Sequence, residues 1–197
     1  REGGHPVSAM PSVAPKIAMV LAAGLGKRMR PLTDETPKPL IRIAGKTLLD
    51  RGLDMLALAG VEKAVVNVHY LGRQIVEHVK NRTAPEVAIS DESDLLLDSA
   101  GGIVRALPAL GREPFLILNA DTFWIDRDGS DLERLSLAWD GARMDILLML
   151  VRPDDATGHS GTTDFLIDRD GRLARANGAA DGMIYAGVGI LHPRIFA

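Results

Sequence analysis

From Lys16 onward, short unbroken apolar runs alternate with stretches whose apolar residues recur every three or four positions. The first pattern belongs to strands buried on both faces, the second to helices lying on a core. Lys16–Ala23 is a run of the first kind, stopped by Gly24. A long polar loop rich in Gly, Pro and basic residues follows, from Leu25 to Lys46. Thr47 then opens a helix, because its hydroxyl can cap the first turn and Asp50 three residues on completes a capping-box pattern. Leu49, Leu53 and Leu56 share one face of that helix, and Gly60 is its natural stop. The same reading predicts strands at Lys63–Val68, Glu86–Ser90, Pro114–Asn119, Asp145–Arg152 and Tyr185–Leu191, and helices at Gly72–Arg82, Ala100–Leu110 and Asp131–Trp139. Asp164–Asp168 and Arg172–Arg175 flank Asp170-Gly171 as a hairpin. The strand–helix alternation specifies an α/β domain with a mostly parallel central sheet, and the hairpin predicts antiparallel strands in the second half.

The chain has 197 residues, which suits one such domain. Hydrophobic residues at 46% and charged residues at 25% exclude a disordered chain. A net charge of −3 gives no basic surface for nucleic acid and still permits local positive charge. The chain contains no cysteine, which excludes disulfides, zinc–thiolate sites and cysteine nucleophiles and fits a reducing cytoplasm. Its longest apolar runs, Ile17–Ala23 and Ile146–Val151, are far too short to span a bilayer, so no membrane partner is expected. Arg1–Pro15 lacks the apolar stretch of a signal peptide and reads as a flexible leader, partly foreign to the natural protein, with Met10 a candidate native start. The domain is then expected over residues 16–197. Nothing in the pattern specifies an oligomeric state.

Candidate chemistry concentrates in the first loop. The first strand runs into Leu21-Ala22-Ala23-Gly24-Leu25-Gly26-Lys27-Arg28-Met29. A glycine-rich turn after a buried strand lets backbone N–H groups approach phosphate oxygens, at the strand end where open α/β sheets bind ligands. The pattern is not a Rossmann dinucleotide fingerprint, because Met29 stands where the third glycine belongs. It is not a P-loop either: Gly45-Lys46-Thr47 has the right ending, but Leu40 occupies the opening glycine position. Arg28, Arg30 and Lys38 share this loop, and Pro37 and Pro39 restrict the backbone around Lys38. Solvated loop charges are the plain alternative. A clamped lysine suits a phosphate as a point charge, however, and an arginine can fork across two oxygens. Asp121 follows the apolar run Phe115–Leu118 at the ligand edge, where it can hold magnesium or merely cap the turn into Thr122 and Phe123. The histidines His5, His69, His78, His159 and His192 show no metal-ligand spacing, and the acidic run Asp126, Asp128, Asp131, Glu133 lacks the calcium-loop pattern.

Leu21 to Thr33, followed by Pro37-Lys38-Pro39-Leu40 and Gly45-Lys46, resembles the signature of the sugar-1-phosphate nucleotidyltransferases. The resemblance continues through Asn119-Ala120-Asp121 and Tyr185-Ala186-Gly187, covering nearly all of Lys16–Ala197. Val66–Leu71 and Ser99–Ile103 are most similar to the short N-acetylmuramate-1-phosphate uridylyltransferases of cell-wall recycling. The resemblance implies a Rossmann-like nucleotidyltransferase fold with a mixed, mostly parallel central sheet flanked by helices. It implies a magnesium-dependent enzyme whose partners are a nucleoside triphosphate and a sugar 1-phosphate.

By the same resemblance, Arg28 and Lys38 bind the phosphates and stabilise the transition state. Leu21, Ala22, Ala23, Gly24 and Gly26 cradle the nucleotide, with Asn119 beside them. Gly101 touches the base or ribose, with Glu92 near that pocket. Asp121 is the magnesium ligand. On the sugar side, Tyr185 and Gly187 match a strand that meets the sugar, and Thr163 and Asn177 fall near other sugar-contacting positions. Core packing explains Tyr185 equally well. One departure bears on the sugar: Arg175-Ala176-Asn177-Gly178 stands where many members carry Glu before Lys-Pro. Relatives also use a second carboxylate beyond the last strand, which implies a missing C-terminal segment. These 197 residues alone are then expected to bind NTP and turn over poorly. The rival readings are a hexose-1-phosphate enzyme such as a mannose-1-phosphate guanylyltransferase, a CTP enzyme using phosphocholine, and a non-catalytic subunit that binds nucleotide sugar.

Overall fold

The computed structural model describes residues 14–126, 128–159 and 161–197. Most of the expected leader therefore lies outside the described residues.

The chain first forms β1 (Ile17–Leu21), then two short strands, β2 (Arg42–Ile43) and β3 (Lys46–Thr47), then α1 (Leu48–Leu58). Next come β4 (Lys63–Val68), α2 (Gly72–Val79), β5 (Glu86–Asp91), α3 (Ser99–Leu110) and β6 (Phe115–Asn119). The second half adds α4 (Asp131–Ala138), β7 (Ile146–Val151), β8 (Phe165–Ile167), β9 (Leu173–Arg175) and β10 (Ile184–Leu191). Six strands form the main sheet in the order β5-β4-β1-β6-β10-β7. The first four run parallel. The strand β10 pairs antiparallel with both β6 and β7, in line with the antiparallel strands expected of the second half.

Alternation along the strands divides the core into two layers. In β1, Ala18 and Val20 face a cluster with Leu49, Leu53 and Leu56 of α1, Ile75 and Val79 of α2, and Leu132 and Leu135 of α4. Met19, between them, faces the other side, where Ile103, Ala106 and Leu110 of α3 pack on Val65, Phe115 and Ile117. Both faces of β1, β4 and β6 are thus covered, which is why these segments read as continuous apolar runs. Leu53 is fully buried at the centre of the first layer. Leu53→Ala is expected to cost about 2–5 kcal/mol of unfolding free energy by urea titration, the usual range for a leucine cavity. A loss under about 1 kcal/mol would mean that α1 does not bear on the core.

The predicted cap on α1 is present: Thr47 Oγ1 accepts from Asp50 N at 3.0 Å. The helix expected over Gly72–Arg82 stops at Val79. Arg82 turns back to pair with Asp54 at 2.5 Å and Asp50 at 3.5 Å on α1, an attraction between elements that helical spacing cannot reveal. The polar stretch 25–46 is more structured than a plain loop. It contains 3₁₀ turns at Lys27–Met29 and Lys38–Leu40 and the β2–β3 hairpin, whose turn places Ala44 and Gly45 at positive φ. The hairpin β8–β9 pairs only with itself among the named strands, and Asp168 Oδ1 fastens its turn by accepting from the N–H groups of Asp170 and Arg172.

Candidate active site

The strand order reverses at β1, whose carboxyl end lies between β4 and β6. Ligand crevices open at such switch points in α/β sheets. The loop leaving β1 is tied down on both sides. Ala22 N donates to Asn67 Oδ1 on β4 at 2.7 Å, and Ala120 N after β6 donates to Leu21 O at 3.0 Å. Gly26 has φ +62°, and a side chain there would press to 2.9 Å of Thr33 Cγ2. Thr33, fully buried, donates its hydroxyl to Gly26 O at 2.9 Å and folds the loop on itself. Gly24 has nothing within 4 Å of the place its side chain would start, so backbone faces open space there.

That space is a cleft of about 530 Å³. Leu21, Ala22, Ala23, Gly24, Gly26, Arg28, Lys38, Asn119 and Asp121 all line it, although they come from distant parts of the chain. Leu96, Leu97, Asp98 and Ser99, around the start of α3, supply another side. Arg28 is exposed at the cleft, next to Lys27. Pro37 and Pro39 are both buried and hold the Lys38 backbone between them. The Lys38 side chain, 26% exposed, crosses to Asp121 and its Nζ lies 2.5 Å from Oδ2. A cation on a fixed backbone and a carboxylate at a strand end thus meet over a glycine-lined turn. Such a site can hold a polyphosphate by backbone N–H groups and screen charge that develops on it.

The structure does not bring every candidate to this cleft. Glu92 lies behind its wall, fully buried, with both carboxylate oxygens engaged: Oε1 accepts from Asn67 Nδ2 at 2.7 Å and Oε2 from Leu97 N at 3.2 Å. Gly101 sits within α3 and packs against Leu97 rather than lining the cleft. Of the sugar-side candidates, Gly187 is the one that touches the segment carrying Asp121. It has φ +81° in a bulge of β10, and a side chain there would meet Thr122 Oγ1 at 2.9 Å, one residue from Asp121. Thr163 donates its hydroxyl to Ala179 O at 2.7 Å. Asn177 is exposed with φ +50°. Tyr185 pairs with Leu150 on β7, and its N–H donates to Asp164 Oδ2 at 2.9 Å. Burial pushes the Tyr185 hydroxyl up to about 12, so it stays neutral across the working pH range.

Asn67 carries a role that the sequence reading did not assign. Its signal was available: one amide interrupts the apolar run Ala64-Val65-Val66-Asn67-Val68, and a buried amide must find partners.

Among the described residues, no three His, Cys, Asp or Glu side chains converge as a ready-made metal cage. Asp121 lines the cleft with its carboxylate 38% exposed. This donor set fits a hard divalent cation that takes its other ligands from phosphate and water.

An α/β sheet with a cleft of this size at its switch point, lined by glycine and spanned by a lysine–aspartate pair, defines a nucleotide-handling transferase. The chain belongs to the nucleotidyl transferase family, whose profile matches residues 17–158. It is 45% identical over 192 residues to the N-acetylmuramate alpha-1-phosphate uridylyltransferase of Caulobacter vibrioides, covering 94% of this chain and 79% of that protein. It is 39% identical over 182 residues to the enzyme of the same name from Neisseria meningitidis, covering 91% and 76%. In fold, it superposes on an inositol-1-phosphate CTP transferase from T. maritima with a TM-score of 0.78 at 22% identity, covering 94% of this chain and 74% of that one. Members of this family generally work with a divalent metal. No helix among the described residues is long and apolar enough to cross a membrane.

Proposed function

We propose that the protein transfers a uridylyl group from UTP to N-acetylmuramate 1-phosphate and releases pyrophosphate. The observation that carries the chemistry is the contact of Lys38 with Asp121 across the mouth of the glycine-lined cleft. The high identity to two uridylyltransferases over most of the chain supports the choice of base and sugar.

A phosphate oxygen of the sugar phosphate attacks the α-phosphorus of UTP in line. A new phosphorus–oxygen bond forms, the bond from α-phosphorus to the bridging oxygen breaks, and pyrophosphate leaves with that electron pair. The attacking phosphate is already ionised, so the site needs no general base. What it needs is positive charge where anions converge. Lys38 supplies a fixed ammonium, and Arg28 can fork across oxygens of the departing diphosphate. The turn at Ala23 to Gly26 offers the close backbone approach that phosphates require. Asp121 would hold magnesium, which would supply positive charge against the nucleotide phosphates. Thr163, Asn177, Tyr185 and Gly187 form the proposed sugar side, with Gly187 the link to Thr122 and Asp121. We place the reaction in the cytoplasm, which suits a cysteine-free chain that consumes a nucleoside triphosphate.

Pyrophosphate release across four NTPs and a panel of sugar 1-phosphates tests this reading. UTP with N-acetylmuramate 1-phosphate is expected to give the highest kcat/KM. A preference for GTP with mannose 1-phosphate would overturn it.

A further inference from the structure

Glu92 is fully buried, and neither the phosphate site nor the proposed metal ligand uses it. A buried carboxylate is costly unless hydrogen bonds hold it. Its two oxygens point those bonds at different parts of the cleft. Oε2 accepts directly from Leu97 N, on the side that precedes α3. Oε1 accepts from Asn67 Nδ2 at 2.7 Å, and Asn67, 3% exposed, accepts through Oδ1 from Ala22 N. Ala22 and Leu97 both line the cleft, from different elements.

The pair has no room to move. Glu92 N donates to Val68 O at 2.8 Å, and its carbonyl lies 2.7 Å from His69 Nδ1. A side chain on Gly102 would come within 2.7 Å of Glu92 Oε1 and 2.8 Å of Asn67 Nδ2, so α3 packs directly on the pair. The Asn67 amide also has one workable orientation. Its oxygen must face the Ala22 N–H, so its NH₂ must face an acceptor, and Glu92 is that acceptor.

We propose that Glu92 and Asn67 are positioning residues that fix two sides of the nucleotide cleft and thereby set its affinity for NTP. Glu92 acts through Asn67 and Leu97 instead of touching the base. This inference rests on the reading of the cleft as an NTP site.

The test is a swap of hydrogen-bonding groups. In Glu92→Gln, the new amide NH₂ opposes the Asn67 NH₂, or else displaces Leu97 N–H. If Asn67 turns to accept, its NH₂ opposes the Ala22 N–H, so the conflict reaches the cleft either way. In the double variant Glu92→Gln/Asn67→Asp, every bond can be made again. The amide NH₂ introduced at position 92 donates to the carboxylate introduced at position 67. That carboxylate also accepts from Ala22 N, and the new amide oxygen accepts from Leu97 N. The dissociation constant for UTP with Mg²⁺, by calorimetry, should rise about tenfold or more in Glu92→Gln, since a mismatched buried donor pair forfeits at least one bond. The double variant should return to within about threefold of the parent, because the bonding pattern is whole again. KM for UTP should follow that constant, with kcat little changed and the ratio of UTP to CTP affinity unaltered.

A single variant that binds UTP like the parent would overturn the proposal. So would a double variant no better than the single, or a change in base preference, which would mean that Glu92 reads the base. Should Glu92→Gln not fold, Asn67→Asp replaces it in the comparison, because it sets two carboxylates face to face and the same swap must rescue it. Hydrogen exchange of the Ala22 and Leu97 amides reads the relay without any nucleotide: faster in the single variant, restored in the double. Restored exchange together with no UTP binding by the parent would sink the NTP reading alone. Exchange unchanged in the single variant would sink the relay alone.

Discussion

Asp121→Asn is expected to lower kcat/KM by about a thousandfold, or roughly 4 kcal/mol of transition-state stabilisation. The substitution keeps the size of the side chain and removes its charge, so it isolates electrostatics from packing. Asp121 follows Asn119-Ala120 directly after β6, and Ala120 N is anchored on Leu21 O, so the backbone has little reason to move. On the proposed role, what changes is the anchor for a divalent cation, and among the described residues no group of three or more His, Cys, Asp or Glu side chains stands ready to replace it. Binding of Mn²⁺ in the presence of UTP, measured by electron paramagnetic resonance, should weaken in parallel with turnover. Near-normal activity and Mn²⁺ binding would show that Asp121 merely shapes the turn into Thr122.

Lys38→Ala is expected to lower kcat/KM at least about a hundredfold, the effect of losing roughly 3 kcal/mol of charge stabilisation in the transition state. Stability should hardly change. The Lys38–Asp121 pair is partly solvated, at 26% and 38% exposure, and ion pairs of that kind contribute about 0–1 kcal/mol. The two readouts therefore separate: thermal unfolding stays put while turnover collapses. A variant with near-normal kcat/KM would make Lys38 a bystander and would remove the main support for the proposed chemistry.

How much of this could be read in advance depended on which forces act locally. The strand limits of β4 match the sequence reading; those of β1 and β7 differ by one or two residues at each end, and those of β6 and β10 by one residue at the first end alone. These strands are buried or paired along their length, so the apolar run itself marks them. The cap on α1 was equally visible, because Thr47 and Asp50 form it within one turn. The end of α2 was not, since Arg82 answers to Asp50 and Asp54 on another helix. Nor was the β2–β3 hairpin, whose turn uses Ala44 at φ +49°, a conformation its side chain does not advertise.

The site divides the same way. The glycine turn, Lys38 and Asp121 were singled out by residue type and position, and the fold gathers them into one cleft. Glu92 carries no mark in the sequence that says it is buried. Its charge suggests a surface or a ligand, and only the packing of Gly102 and the amide of Asn67 show otherwise. Thr33 is the same kind of case, a hydroxyl turned inward to hold Gly26.

The central claim is that this cleft joins the sugar phosphate to the α-phosphorus of UTP. It can be followed atom by atom with N-acetylmuramate 1-phosphate carrying ¹⁸O in its phosphate. The protein is incubated with that compound, UTP and Mg²⁺, and both products are read by mass spectrometry. In-line attack predicts that all of the label appears in UDP-N-acetylmuramate and none in pyrophosphate. Label in pyrophosphate, or no nucleotide sugar at all, would contradict the account.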